Sequence, residues 1–365
     1  MEKEIFGEGS IKSLESFLKH YSVQRVFLVT GKRSYELSGA KEEIEKLLVG
    51  RDHHRHFEFE ENPKFSDLLQ GSKVVRAYKP DIIVAIGGGS VMDTAKILSV
   101  LPTEIPEAKK VIKGEVDFNK KIAPIVAIPT TSGSGSEATH FAVAYLNNLK
   151  YSVAGKSLLP DHVILDPELT YSMPPYQTAV SGMDALCQGI ESYWAKGATA
   201  KSQSYALDAI KLLLPNIEEA VNNPTQTNRG YLAKGANLAG KAINISKTTA
   251  PHAFSYYLTK KFNIPHGEAV GMIMGAFLVI NYEKIQTEGL NLLHNLFDSD
   301  SKFSLYERFK EMRNKIGLDT NVIDLGFDRD KQWDDFMKSV NKERLKNNPS
   351  KFEYFFLKTL LKENQ

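Results

Sequence analysis

The sequence predicts an α/β domain built on a mainly parallel sheet, followed by an all-helical domain. Three observations carry that prediction. Short β-branched apolar runs alternate with helical patterns through the first half of the chain. From about Pro174 onward helical periodicity takes over. The length, 365 residues, exceeds what one hydrophobic core usually serves.

In order, RVFLVT (25–30) reads as a first buried strand, KEEIEKLL (41–48) as a polar helix and HRHFEF (54–59) as a second strand. A helix over 66–78 leads to DIIVAIGGGS (81–90), an apolar run that ends in three glycines. The helix VMDTAKILSV and the strand PIVAIPTT (124–131) complete the series. The boundary falls near LDPELTYSMPP (165–175), which divides the chain into 1–172 and 173–365. Helical patterns then cover 182–196, 201–222, 228–246, 250–261 and 267–283, and the charged end, from KERLKNN onward, reads as a solvated surface helix.

With 42% hydrophobic and 25% charged residues the composition is that of an ordinary globular protein. Lys plus Arg number 46 against 44 Asp plus Glu, which suggests neither a nucleic-acid surface nor a membrane-attracting patch. The one cysteine, Cys187, excludes an intramolecular disulfide and a cysteine-rich metal cluster. No apolar run reaches the roughly 18 residues needed to span a bilayer, and a cytoplasmic location is the expectation.

Two loops suggest a nucleotide. Gly87, Gly88, Gly89 and Ser90 follow a strand and open a helix, where free N–H groups and the helix dipole favour an anion. The same glycines also suit a plain tight turn, and Asp93 can cap the helix or contact a ribose. A second loop, PTTSGSGSEAT (129–139), brings Thr130, Thr131 and Ser134 to another strand end, on the sheet edge where open α/β folds bind nucleotides.

In GMDALCQGIES, Asp184 and Gln188 are four positions apart and share one helix face. In TAPHAFSYYLTKKFNIPHGEAVG, His252 and His266 are 14 positions apart, with a helix-breaking Asn-Ile-Pro between them. That arrangement can bring both imidazoles to one ion.

Together GGGSVMDTAK, PTTSGSGSEAT, DHVILDPEL, GMDALCQGIES and PHAFSYYLTKKFNIPHG resemble, in order and spacing, the iron-containing alcohol dehydrogenase family. The resemblance runs from FGEGSI to ERLKNNP and implies a Rossmann-like domain for NAD(P) and a helical domain holding a divalent metal, a fold shared with dehydroquinate synthase. It implies Asp184, His252 and His266 as metal ligands, with Gln188 where the family usually carries a third histidine. Ferrous iron and zinc lead the candidates. A neutral amide should weaken binding and move selectivity away from zinc-like preferences.

Tyr256 stands where many members carry a histidine thought to relay a proton, and reads either as that relay or as an aromatic lining the pocket. The text around Gln188 and His252 is similar to phosphonoacetaldehyde reductases, which implies a phosphonate aldehyde substrate. Lys247 is the first choice for a cation facing that anion. Gly31 occupies the place of an aspartate found in many NAD-using members, with Lys32 and Arg33 beside it, which favours NADPH over NADH. Lys150 is a further cofactor candidate. A homodimer is implied, and a general alcohol dehydrogenase acting on simple aldehydes is the alternative.

Overall fold

The computed structural model describes residues 3–118, 120–147, 149–322, 324–351 and 357. The chain forms two compact units, Met1–Met173 and Pro174–Gln365.

The first unit contains β1 (Glu4–Phe6), α1 (Leu14–His20), β2 (Arg25–Thr30), α2 (Ser34–Leu37), α3 (Ala40–Leu47), β3 (Asp52–His56) and α4 (Phe65–Tyr78). It continues with β4 (Ile82–Gly87), α5 (Gly89–Leu98), α6 (Ile105–Lys113), β5 (Ile125–Pro129), β6 (Phe141–Leu146), β7 (Leu149–Ala154) and β8 (His162–Leu165). Six strands make a wholly parallel sheet in the order β1-β8-β5-β4-β2-β3. Alternate residues of β2, β4 and β5 enter two different cores. Val26, Leu28, Val84 and Ile128 pack with Leu14, Phe17 and Ile44, whereas Phe27, Val29, Ile83 and Ile125 pack with Leu68, Val75 and Ala95. Burial on both faces explains why these strands read as continuous apolar runs.

Three features differ from the sequence reading. The second strand ends at His56, because its pairing follows Arg25–Val29 of β2 and stops there. The antiparallel hairpin β6–β7, turning through Asn147 at φ 52°, was not anticipated; its small inward residues Ala142 and Ala144 give a weak strand signal. The three-residue β1 is too short to read from the sequence and is held by β8.

The second unit is helical: α7 (Pro175–Trp194), α8 (Ala200–Asn222), α9 (Gln226–Ser246), α10 (Ala250–Phe262), α11 (His266–Asn281), α12 (Thr287–Phe297), α13 (Lys302–Lys315), α14 (Arg329–Lys338) and α15 (Lys342–Asn347). Helix α7 is buried from Thr178 to Trp194, which makes it the axis around which the others pack. No described helix is long and apolar enough to cross a membrane.

The solvated-tail expectation needs correcting where the chain is described. Leu345 packs on the core, and Asn347 donates to the carbonyls of Ser246 (2.8 Å) and Thr248 (3.1 Å), which binds α15 to the end of α9. The tail residues 352–356 and 358–365 lie outside the described residues.

Candidate functional site

Helix α7 carries Asp184, Gln188 and Glu191 at spacings of four and three, so all three project along one stripe. Each is buried, and buried polar groups demand partners. Those partners come from α10 and α11. Asn263 ends α10 in a left-handed turn at φ 55°, Pro265 precedes α11, and His266 opens it, which returns His266 to His252. The two imidazoles lie 5.3 Å apart, centroid to centroid, at 73°. The His252 Nε2 stands 3.2 Å from Asp184 Oδ1, and ligand atoms of Asp184, His252 and His266 all fall within 4.8 Å of one another.

Glu191, fully buried, orients this set. Its Oε1 accepts from the Thr249 N–H and hydroxyl, both at 2.9 Å, and from the His252 N–H at 3.3 Å. Its other oxygen receives the His252 Nδ1 proton. An ionised carboxylate only accepts, so Nδ1 carries a proton to Glu191, and Nε2, which faces Asp184, is the nitrogen that an ion would take once it gives up its own proton. The sequence reading named Glu191 only within a motif; its place seven residues beyond Asp184 on one face was the available signal.

Burial alone would raise the Asp184 pKa, but the His252 hydrogen bond and the neighbouring imidazoles turn the shift downward and keep an anion there. Burial likewise opposes charge on His252, yet Glu191 and Asp184 outweigh it and raise its pKa to about 9. This corner attracts a cation. The Gln188 amide lies against Asp184, and its Oε1 is buried with no partner among the described residues. One carboxylate, two imidazoles and an orphaned amide oxygen fit a divalent ion.

Tyr256 stacks on His266 at 5.4 Å and 16°. Burial pushes its phenol pKa up, the wrong direction for a proton relay near neutral pH, and the geometry supports the reading as an aromatic wall. Lys247 ends α9 at φ 61°, and its exposed ammonium pairs with Glu343 on the surface.

In the first unit, Gly87 ends β4 opposite Pro129 of β5, and the Thr130 N–H donates to the Gly87 carbonyl at 3.0 Å. A Cβ on Gly88 would stand 3.3 Å from Thr131, and one on Gly89 2.8 Å from Ser134 Oγ. The glycine loop and the hydroxyl loop therefore pack directly together at the start of α5, where Gly89 and Ser90 form the first turn and its leading N–H groups lack intrahelical acceptors. The hydroxyls of Thr130 and Ser132 are buried and have no partner among the described residues. Asp93 uses its oxygens to hold Ser136 Oγ (2.6 Å) and the Val143 N–H (2.8 Å), binding the hydroxyl loop to β6. Lys96, fully buried, donates to Ser136, Thr139 and the Phe141 carbonyl, and burial lowers its pKa to about 8. Lys150 is exposed on β7, opposite Tyr145. Gly31 closes the turn after β2, where a Cβ would overlap the Ser34 hydroxyl. Arg55, which the sequence reading did not single out, reaches that turn from β3, donating to Thr30 Oγ1 and the Gly31 carbonyl while lying over the Tyr35 ring. Lys32, Arg33 and Arg55 thus gather at one strand end.

Comparison with known proteins agrees with this arrangement. Residues 2–167 match the family described as iron-containing alcohol dehydrogenase, and residues 178–364 match the C-terminal region of the Fe-containing alcohol dehydrogenase family. The chain belongs to the iron-containing alcohol dehydrogenase family. It is 29% identical to an aldehyde-alcohol dehydrogenase of Streptococcus pneumoniae over 93% of its own length; it spans 42% of that relative. It is 28% identical to a sulfoacetaldehyde reductase of Bilophila wadsworthia, across 90% of this chain and 88% of the relative. The crystal structure of a sulfoacetaldehyde reductase from Bifidobacterium kashiwanohense in complex with NAD+ superposes with a TM-score of 0.91 at 28% identity, covering 99% of this chain and 96% of the other.

Proposed function

We propose that this chain is a metal-assisted, NAD(P)H-dependent reductase of a two-carbon aldehyde bearing a terminal oxyanion, with phosphonoacetaldehyde as substrate and 2-hydroxyethylphosphonate as product. The observation that carries the chemistry is the set of buried Asp184 and His252 with half-buried His266, beside the Gln188 oxygen that is unpartnered among the described residues, in a chain of this family. When bound, a divalent ion supplies Lewis acidity to the carbonyl oxygen. Asp184, His252, His266 and Gln188 would hold that ion, with Glu191 on Nδ1 leaving the Nε2 of His252 to it. Tyr256 walls the pocket, excludes water and leaves the alkoxide to be protonated by solvent or a ribose hydroxyl. The loops at Gly87–Ser90 and Thr130–Ser134 cradle the pyrophosphate, with Asp93 and Lys150 beside them. A homodimer in the cytoplasm is part of the proposal.

The substrate class rests on the text around Gln188 and His252, and on relatives named for sulfoacetaldehyde, another two-carbon aldehyde with a terminal oxyanion. Those relatives favour sulfoacetaldehyde as a second reading. The deciding experiment is an initial-rate comparison of phosphonoacetaldehyde, sulfoacetaldehyde and butanal with NADPH, before and after chelation and metal add-back. Chelation is expected to stop turnover and metal to restore it. Phosphonoacetaldehyde is expected to exceed butanal in kcat/KM by about a hundredfold, roughly 2.7 kcal/mol of transition-state preference. Equal rates would make the protein a general alcohol dehydrogenase, and net NADPH consumption separates either from a lyase that uses the nucleotide transiently.

NADPH is the proposed cofactor, because Gly31 removes the carboxylate that repels a 2′-phosphate and Lys32, Arg33 and Arg55 surround it with positive charge. Reversing Lys32 and Arg33 to glutamate is expected to lower the NADPH-to-NADH ratio of kcat/KM by about tenfold or more, equivalent to roughly 1.4 kcal/mol. A ratio that does not move places the 2′-hydroxyl elsewhere.

A further inference from the structure

We propose that Arg344 is the specificity-determining cation of this site, the group that receives the anionic end of the aldehyde. The proposal rests on the reading of the chain as a reductase of oxyanion-bearing aldehydes and supplies that reading with its counter-charge.

Arg344 belongs to α15, which would read as solvent-exposed from its sequence KERLKN. Its neighbours on either side place it otherwise. Glu343 turns outward to Lys247, Leu345 packs inward, and the Asn347 amide binds the turn after α9. Asn348 exchanges hydrogen bonds of 3.0 and 2.9 Å with Asn281 at the end of α11. Held at these points, α15 lies against α10, and the half-buried guanidinium of Arg344 sits 5.7 Å from the centroid of the Tyr256 ring. Tyr256 stacks in turn on His266. The Tyr256 ring is thus a neighbour of both the guanidinium and His266, a ligand of the proposed ion.

The guanidinium has five N–H donors, and among the described residues one is engaged, by Thr248 Oγ1. No carboxylate among the described residues lies within ion-pair distance of it. Two other cations of the unit are placed differently. Arg313 Nη2 donates to the carbonyl oxygens of Leu318 and Thr320, and Lys247 is paired with Glu343. A planar guanidinium that has, among the described residues, free donors and no counter-ion suits bidentate recognition of a phosphonate or sulfonate. Its place over the Tyr256 ring, 5.7 Å from the centroid, and its bond to Thr248 restrict the fork before substrate arrives, which lowers the cost of ordering it.

The competing account is that Arg344 only fastens α15 to Thr248 and Tyr256. The two accounts differ in selectivity. We would measure kcat/KM for phosphonoacetaldehyde and for butanal on metal-loaded wild-type, Arg344→Ala and Arg344→Lys proteins, together with the Kd of the unreactive anion phosphonoacetate. The expected result is that the phosphonoacetaldehyde-to-butanal ratio falls by about a hundredfold in Arg344→Ala and about tenfold in Arg344→Lys, whose point charge cannot form the fork. Phosphonoacetate binding is expected to weaken in parallel. A fastening role lowers both rates together and leaves the ratio and the relative anion affinity unmoved, which overturns the proposal. Should Arg344→Ala lose its folded structure, Arg344→Lys decides alone by the same ratio. Equal rates for both aldehydes in wild-type protein bring down the substrate reading and this proposal together, whereas a wild-type preference that survives in Arg344→Ala brings down the proposal alone.

Discussion

Gly267→Ala is expected to abolish metal binding while leaving every proposed ligand unsubstituted. Gly267 follows His266 in the first turn of α11, where a Cβ would overlap the Val180 carbonyl oxygen of α7 and stand 3.1 Å from Asp184 Cβ. The obstacle is backbone, which cannot rotate away. Alanine therefore forces α11 off α7, and the two helices carry His266 and Asp184. Overpacking of this kind costs about 1–3 kcal/mol. The displacement matters more than the energy, because a shift of about 1 Å is enough to spoil a constellation held to roughly 0.5 Å. Elemental analysis after metal loading should show loss of the ion, and thermal melting a lowered midpoint. Full metal content in Gly267→Ala would mean that the helices have room to spare and that the close approach is incidental.

Glu191→Gln is expected to separate stability from metal binding. In the wild-type protein the Glu191 carboxylate accepts from Thr249, from the His252 backbone and from His252 Nδ1. Glutamine can keep its oxygen on the Thr249 and His252 N–H groups, but its NH2 then faces Nδ1. Two donors cannot share that contact, so the imidazole must move its proton to Nε2, the nitrogen directed at Asp184. Metal affinity is expected to fall by about 10- to 100-fold with a melting temperature near that of wild type. Glu191→Ala is expected to lose both, since it strands several buried donors at about 1–3 kcal/mol each. Isothermal titration with the metal alone, beside thermal melting, checks the pair; unchanged affinity in Glu191→Gln would show that Nδ1 is not the proton-bearing nitrogen.

Much of this architecture was legible before any coordinates. The strands β2, β4 and β5 and the helices of the second unit follow from apolar runs and periodicity, because burial on two faces or on one stripe writes itself locally into the chain. Asp184, Gln188, His252 and His266 were legible as residue types at informative spacings, in text that resembles one family. The hairpin β6–β7 was not, since two of its inward residues, Ala142 and Ala144, are small, and neither was β1, whose three residues are held by β8.

The amino-acid sequence by itself determined most of the order of elements, the family and the residue types of the proposed metal ligands, because each depends on local pattern or on residue type. Only the tertiary structure decided which side chains meet across long separations. It gave Lys247 to Glu343, set Glu191 behind His252, and carried Arg344 back over Tyr256 from a segment that reads as solvated tail. Those contacts depend on how α7, α10, α11 and α15 dock, and docking is set by the close approach at Gly267 and the asparagine anchors of Asn347 and Asn348, none of which has a local signature.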